Sequence, residues 1–315
     1  MENKIRSKIL FLKPHLQEKI WGGSRLVSDF GYECENKDHI GECWGVSAHP
    51  DEDCEIDGGE YDGVKLSKMW RDHQELFGNT GLSEFPLLTK IIDAKEDLSI
   101  QVHPNDDYAK EHENSLGKTE CWYILDCPEN ASLIIGNNAR NRDELEGMIE
   151  DHKWSELCNE LPVRKGDFIQ INPGTLHSIK GGFLILESQQ SSDVTYRVYD
   201  FDREVNGKKR ELHLKQSLDV IKTPDKFVKD DIIHTTDIPD EKQLLESNSC
   251  YKIWKMHITG ETDLAHSEPF LICSVIEGEG LVDGRPVKKG SHFIIPFGMT
   301  EVKARGNMQL IMSSI

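Results

Sequence analysis

VRKGDFIQINPG (163–174) and VKKGSHFIIPFG (287–298) carry the same signals in the same order: a basic stretch, a glycine, an apolar run and a closing Pro/Gly turn. Laying Gly166 on Gly290 brings Gly174 onto Gly298. A glycine before a short apolar run and a turn after it is strand punctuation, and its recurrence predicts a duplicated β unit. Outward from the first copy, LSIQVHP (98–104), CWYILDC (121–127), ASLIIG (131–136) and GFLILESQ (182–189) read as further short strands broken by Gly, Pro, Asn and Asp. Short strands at close spacing build sandwiches or barrels. The expected fold is mainly β: two jelly-roll β-barrels, residues 1–235 and 236–315, with a few helices added to the first. Those helices are expected at 66–78, where Gly78 is the C-cap, at 142–161 and at 210–221, each with apolar residues at helical spacing. The polar stretch 222–247 is the expected linker.

Composition narrows the function classes. The net charge of -19 excludes sequence-independent nucleic-acid binding, which needs a basic surface. It also requires any anionic substrate to meet cations concentrated against the average field of the protein. No apolar run approaches the 18 residues or so that a membrane helix needs. The run ILFL (9–12) after the basic start is too short for the core of a signal peptide, so a cytoplasmic location is expected. The eight cysteines form no CxxC pair, which points to reduced thiols packed as small hydrophobes.

Four side chains have metal-ligand character. Gln101 and His103 stand two apart in a strand pattern and so share a face. Glu120 opens the next strand in GKTECW, and His177 follows the NPG turn in NPGTLH. Imidazole, carboxylate and amide oxygen suit zinc, and fewer than four strong donors leave a position for water or substrate. Most of the 13 histidines, such as His15, His73 and His152, sit in polar or helical surroundings and carry no assigned role.

LSIQVHPND (98–106), GKTECWYIL (117–125), NPGTLHSI (172–179) and SSDVTYRVYDFDR (191–203), with IWGG (20–23) and GECWGVSAHP (41–50), resemble the type I phosphomannose isomerases in their short bacterial form, a family of the cupin superfamily. The resemblance is collinear from about residue 10 to the end of the chain. It implies an isomerase of mannose metabolism that interconverts mannose 6-phosphate and fructose 6-phosphate, with one zinc ion per chain. It implies zinc ligands at Gln101, His103, Glu120 and His177, and catalytic or substrate-binding roles for Ser99, Lys118 and Arg197. The expected partner is a small sugar phosphate, with no nucleic acid and no membrane. The oligomeric state, monomer or homodimer, stays open.

The chemistry of the residues agrees with those roles. Aldose–ketose isomerisation needs a base to carry a proton between neighbouring carbons and a cation where negative charge develops on oxygen. Lys118, two residues before Glu120, belongs at the mouth of the metal set; its alternative is a surface turn. Arg197, flanked by aromatics in TYRVYD, offers a guanidinium to the substrate; its alternative is a bridge to Asp193 or Asp200. Ser99 shares the face of Gln101. Lys90 and Glu187 are further cavity candidates, and a histidine, a glutamate or a water-bridged lysine could each be the base. In the C-terminal half the repeat alignment sets Glu301 where the first half has His177, and Lys255 stands near His257 where Gln101 would be, with Glu268 as a counterpart of Glu120. No metal is expected there. A cupin dioxygenase, which usually opens on His-x-His, and a non-catalytic sugar-binding cupin are the competing classes.

Overall fold

The computed structural model describes residues 9–315; the basic start at 1–8 lies outside the described residues. The two repeat copies take the same local form. Gly166 and Gly290 both turn at φ 87°, a left-handed conformation that side chains rarely adopt, and lead into the strands Asp167–Ile171 and His292–Ile295.

Three large sheets stack in layers. The central sheet has seven strands in the order Ile232–His234, Asp167–Ile171, Glu120–Asp126, Leu184–Gln190, Leu87–Asp93, Ile40–Val46 and His15–Gly23. On one side it faces a six-stranded sheet whose core is Ser132–Asn137, His177–Ser178, Ile100–Val102 and Tyr196–Tyr199. Trp122, Ile124, Ile169 and Ile185 meet Leu133, Ile135 and Ile179 between these two layers. On the other side Cys121, Tyr123, Leu125 and Leu186 pack on Ile253, Ile272, Ile294 and Ile311 of the nine-stranded C-terminal sheet. Alternate residues of CWYIL therefore serve two different cores, which is why the strand is apolar throughout instead of alternating.

The chain crosses the boundary expected at 235/236. Leu10–Lys13 pairs with His292–Ile295, and Glu55–Ile56 pairs with Leu10–Lys13 in turn, so N-terminal segments are part of the C-terminal sheet. The stretch 222–247 is not a free linker. Ile232–His234 adds to the central sheet beside Asp167–Ile171, and Lys242–Ser247 pairs with Lys252–Ile258. Both strands lie at sheet edges, where most side chains face water, and their polar composition follows. The helices are shorter than their periodicity suggested. The first is Leu66–Asp72 followed by a tighter turn Gln74–Phe77, closed by Gly78 at φ 74°. The second splits into Arg142–Glu150 and Trp154–Leu157, and the next residues, Cys158–Pro162, form a strand against Ser132–Asn137. The third is Leu214–Val220. Trp70 and Phe77 of the first insertion close on Phe85 and Phe270, an aromatic cluster in the core between the barrels. Each such ring contributes roughly 1.5–3 kcal/mol by burial.

A polar contact sits in that same junction. His292 Nδ1 lies 2.8 Å from Ser274 Oγ, and Nε2 lies 3.1 Å from the Tyr32 hydroxyl, which donates to the Gly290 carbonyl at 2.8 Å. The Tyr32 oxygen thus accepts from Nε2–H, and Nδ1 accepts from Ser274. Gly45 covers the ring, and a Cβ there would fall 2.4 Å from it. Burial pushes the His292 imidazole down to about 4. The unfolded chain, with an ordinary value near ~6.5, binds the proton first as pH falls. The stability due to a neutral His292 is therefore complete above about 6.5 and is lost progressively toward 4. Denaturant unfolding should show wild type losing about 2 kcal/mol more than His292→Gln between pH 7 and pH 5. Equal losses would contradict this account of the junction.

Candidate active site

Two rows of side chains face each other across the first barrel. In the six-stranded sheet, Gln101 pairs directly with His177 on one side and Arg197 on the other. In the central sheet, Trp122, Glu187, Lys90 and Trp44 stand in register on four adjacent strands. Glu120 begins the strand that carries Trp122. His103 follows the strand Ile100–Val102 at the HPND turn, where Asn105 ends the extended run and caps the helix Asp106–His112 by accepting from the Tyr108 N–H at 3.0 Å.

His103, Glu120 and His177 are buried, and their ligand atoms lie within 4.8 Å of one another. The Nδ1–H of His103 donates to the Val194 carbonyl at 2.8 Å, and that of His177 donates to the Thr175 carbonyl at 2.9 Å. Each Nε2 therefore turns a lone pair toward Glu120, at 3.5 Å from Oε2 for His103 and 3.4 Å from Oε1 for His177. Burial, then the Lys118 ammonium, holds the His103 imidazole well below its ordinary value. Burial takes His177 down to about 4. Gln101 Nε2 stands 3.3 Å from His177 Nε2, and Ser99 Oγ donates to Gln101 Oε1 at 3.1 Å. The Oε1 of Glu120 is buried without a hydrogen-bond partner among the described residues. Two neutral imidazoles with inward lone pairs and an unpartnered buried carboxylate oxygen fit a divalent metal held by nitrogen and oxygen donors.

A cavity of about 110 Å³ opens beside this cluster, lined by Ser99, Gln101, Lys118 and Arg197. Five cations (Lys19, Lys90, Lys118, Arg197, Arg210) stand on its wall against three carboxylates (Glu42, Glu187, Asp193), the reverse of the charge balance of the whole chain. Lys118 is buried, not a surface turn; it donates to Glu120 Oε2 at 2.5 Å and contacts His103 Nε2 at 3.1 Å. Burial alone would lower its ammonium, but Glu120 and Glu187 outweigh that and raise it. Lys90 shows the same balance, raised by Glu42 and Asp193 against its burial. Arg197 forms no ion pair among the described residues, and its Nε is buried without a partner. Asp193 pairs with Lys90 at 3.5 Å, and Asp200 pairs with Arg203 at 2.5 Å and Arg210 at 3.3 Å, so neither acid bridges to Arg197.

The structure thus brings all seven residues singled out in the sequence to one place, together with Lys90 and Glu187. Sequence reasoning missed Lys19, Glu42 and Arg210. Arg210 comes from beyond the TYRVYD motif and is brought to the wall by its contact with Asp200. Glu42 lies in the quoted segment GECWG, but nothing in its spacing marks it.

Comparison with known proteins agrees with this geometry. The description "Phosphomannose isomerase type I, catalytic domain" matches residues 9–126, and "Mannose-6-phosphate isomerase, cupin domain" matches residues 241–315. The chain is 46% identical to the mannose-6-phosphate isomerase ManA of Bacillus subtilis (strain 168), covering 97% of this chain and 98% of that one. The chain belongs to the type I phosphomannose isomerase family. A mannose-6-phosphate isomerase of Streptococcus mutans is 42% identical over 96% of this chain and 97% of its own. A crystal structure of the Bacillus subtilis mannose 6-phosphate isomerase superposes with a TM-score of 0.89 at 42% identity, covering 98% of this chain and 100% of that one. A phosphomannose isomerase variant from Salmonella typhimurium shares the fold, with a TM-score of 0.75 at 16% identity over 98% of this chain and 99% of that one. The C-terminal part of this family member puts its counterpart residues to other uses. Lys255 donates to Asp237 at 2.5 Å, Glu268 pairs with Lys252 at 2.8 Å, and exposed Glu301 pairs with Lys303 at 3.4 Å.

His103→Ala and His177→Ala should each bring bound divalent metal below about a tenth of the wild-type content while the thermal melt stays cooperative. Metal analysis of the purified variants checks this. Full metal content in either variant would remove that histidine from the ligand set.

Proposed function

We propose that this chain interconverts mannose 6-phosphate and fructose 6-phosphate at the cavity beside His103, Glu120 and His177, with one zinc ion held by those three side chains and Gln101. The observation that carries the reading is the conjunction of a nitrogen/oxygen ligand set and a cation-rich cavity wall in a chain of net charge -19. When bound, the metal would act as a Lewis acid toward the sugar oxygens on which charge develops.

Glu187 is the proton carrier in this reading. It lines the cavity, and among the described residues it alone of the cavity carboxylates has no ion pair: Glu42 is held by Lys19 at 3.3 Å and Lys90 at 3.8 Å, and Asp193 by Lys90. The two glutamates are driven apart. Burial and then Glu120 push the Glu187 carboxyl up, whereas Lys90 and Lys19 overcome burial and hold Glu42 down. Carboxyls separated in this way have different tasks: Glu187 exchanges protons, and Glu42 stays ionised to anchor the lysines. Glu187 takes the proton from C2 of the aldose and returns it to C1, while the hydroxyl proton passes between O2 and O1. Lys118 directs its ammonium at the developing oxyanion. Arg197, with Ser99 and Arg210 on the same wall, receives the phosphate or the enediol oxygens. The eight free thiols, five of them buried, support a reducing, cytoplasmic setting.

An isomerase assay coupled to fructose 6-phosphate formation tests the proposal. Glu187→Gln should lower kcat by about 10²- to 10⁴-fold. Arg197→Ala should lower it roughly 30- to 1000-fold with metal content unchanged, the loss expected for about 2–4 kcal/mol of charge-assisted contact. An Arg197 effect confined to KM would assign that residue to ground-state phosphate binding. No turnover by the metal-loaded wild type would refute the proposal.

A further inference from the structure

Trp122 touches both halves of the site. It is 1% exposed, and its indole Nε1–H donates to Glu187 Oε2 at 2.8 Å. Its ring meets that of His177 edge-on, centroids 5.4 Å apart at 77°. Register imposes both contacts: Trp122 stands opposite Glu187 on the neighbouring strand and two residues along from Glu120, on the same face. The other Glu187 oxygen, Oε1, makes no hydrogen bond among the described residues, and the residue lines the cavity. One carboxylate oxygen is tied down and the other is free.

A second tryptophan–glutamate pair in the same barrel shows what is particular about this one. Trp44 Nε1 donates to Glu42 Oε2 at 2.7 Å, but the same Oε2 is also met by Lys19 and Lys90. That carboxylate is committed to cations. Among the described residues Glu187 has the indole as its hydrogen-bond partner and no ion pair, so its orientation depends on a single N–H.

We propose that Trp122 is a positioning residue for proton transfer: its indole N–H locks the Glu187 carboxyl so that Oε1 faces the C1–C2 edge of the sugar. The inference rests on Glu187 being the proton carrier. The step it serves is balanced within the substrate. The C2–H bond breaks and its electron pair forms the C1–C2 double bond as the C1 carbonyl π pair moves to O1. O1 takes up the proton that O2 gives up when C2 becomes the carbonyl carbon, while the C2 proton goes to Glu187 Oε1. The same proton then bonds to C1 as C2 becomes the carbonyl carbon, so C1 is reduced and C2 oxidised with no outside reagent. A carboxyl free to rotate would spend most of its time away from a line of transfer that tolerates little misplacement.

The test is Trp122→Phe, which keeps an aromatic ring and removes the N–H. We expect kcat to fall about 10- to 100-fold, KM to change less than about 3-fold, since uniform binding is untouched, and metal content to match wild type. The deuterium isotope effect with substrate labelled at C2 should rise, because proton transfer becomes the slower step; a purely structural role would not move it. Unchanged kcat and isotope effect, or loss of metal in proportion to activity, would overturn the proposal, the second by assigning Trp122 to His177 alone. Should W122F not fold, the indole N–H resonance of Trp122 in the intact protein decides. It should move upfield in Glu187→Gln, and an unmoved resonance would overturn the proposal. Undiminished turnover by Glu187→Gln would instead sink the reading of Glu187 as proton carrier, and the resonance would still report the contact.

Discussion

A carboxylate buried in the middle of a β-barrel is the constraint around which the rest is arranged. Glu120 is wholly inaccessible, with one oxygen unpartnered among the described residues. An ionised carboxylate in such a place is tolerated only with cations and donors around it. The Lys118 ammonium supplies one such partner at Oε2, while two neutral imidazoles, held by the carbonyls of Val194 and Thr175, turn lone pairs toward the carboxylate, an arrangement that a divalent cation would complete. None of these groups could be placed there by one strand. The central sheet supplies Glu120, the six-stranded sheet supplies Gln101 and His177, and the HPND turn supplies His103. The apolar layer of Trp122, Ile124, Ile135, Ile169 and Ile179 holds the two sheets at a separation that brings these side chains within reach.

The same constraint explains the charges around the cavity. An acidic protein repels a sugar phosphate at long range, and a low-dielectric wall makes each local charge count for more. Cations are therefore collected at the cavity and kept there by a limited number of acids. Lys90 lies 4.4 Å above the Trp44 ring and between Glu42 and Asp193, which fixes it without neutralising the wall. Among the described residues that line the cavity, Arg197 is the guanidinium left without an acid, and Glu187 is the acid left without a cation. Those two unmatched groups, on opposite sheets, are where chemistry has freedom to act.

The sequence made the strands and the ligand set readable because their signals are local. A glycine, an apolar run and a turn announce a strand, and Gly166 and Gly290 reach the same φ by the same turn. Gln101 and His103, two apart, and His177 after NPG were visible as spacing. What was hidden is what depends on distant strand pairing. Nothing near Leu10 says that it pairs with Ile294. The edge strands in 222–247 are polar because water covers them, and so they read as linker. The apolar periodicity at 142–161 continues past Leu157 because Cys158 and Leu161 are buried as strand residues, not helical ones. Arg210 and Glu42 reach the cavity through contacts with Asp200 and Trp44 that no spacing rule encodes.

X-ray absorption at the edge of the bound metal tests the central claim most directly, because it reads the donor atoms themselves. The account predicts a first shell of two imidazole nitrogens and oxygen donors at about 2.0–2.2 Å, with no sulfur. The chain has eight free cysteines, so a thiolate site is a real alternative. A shell containing sulfur near about 2.3 Å, or only one imidazole, would contradict the assignment of His103, Glu120 and His177 as the metal centre.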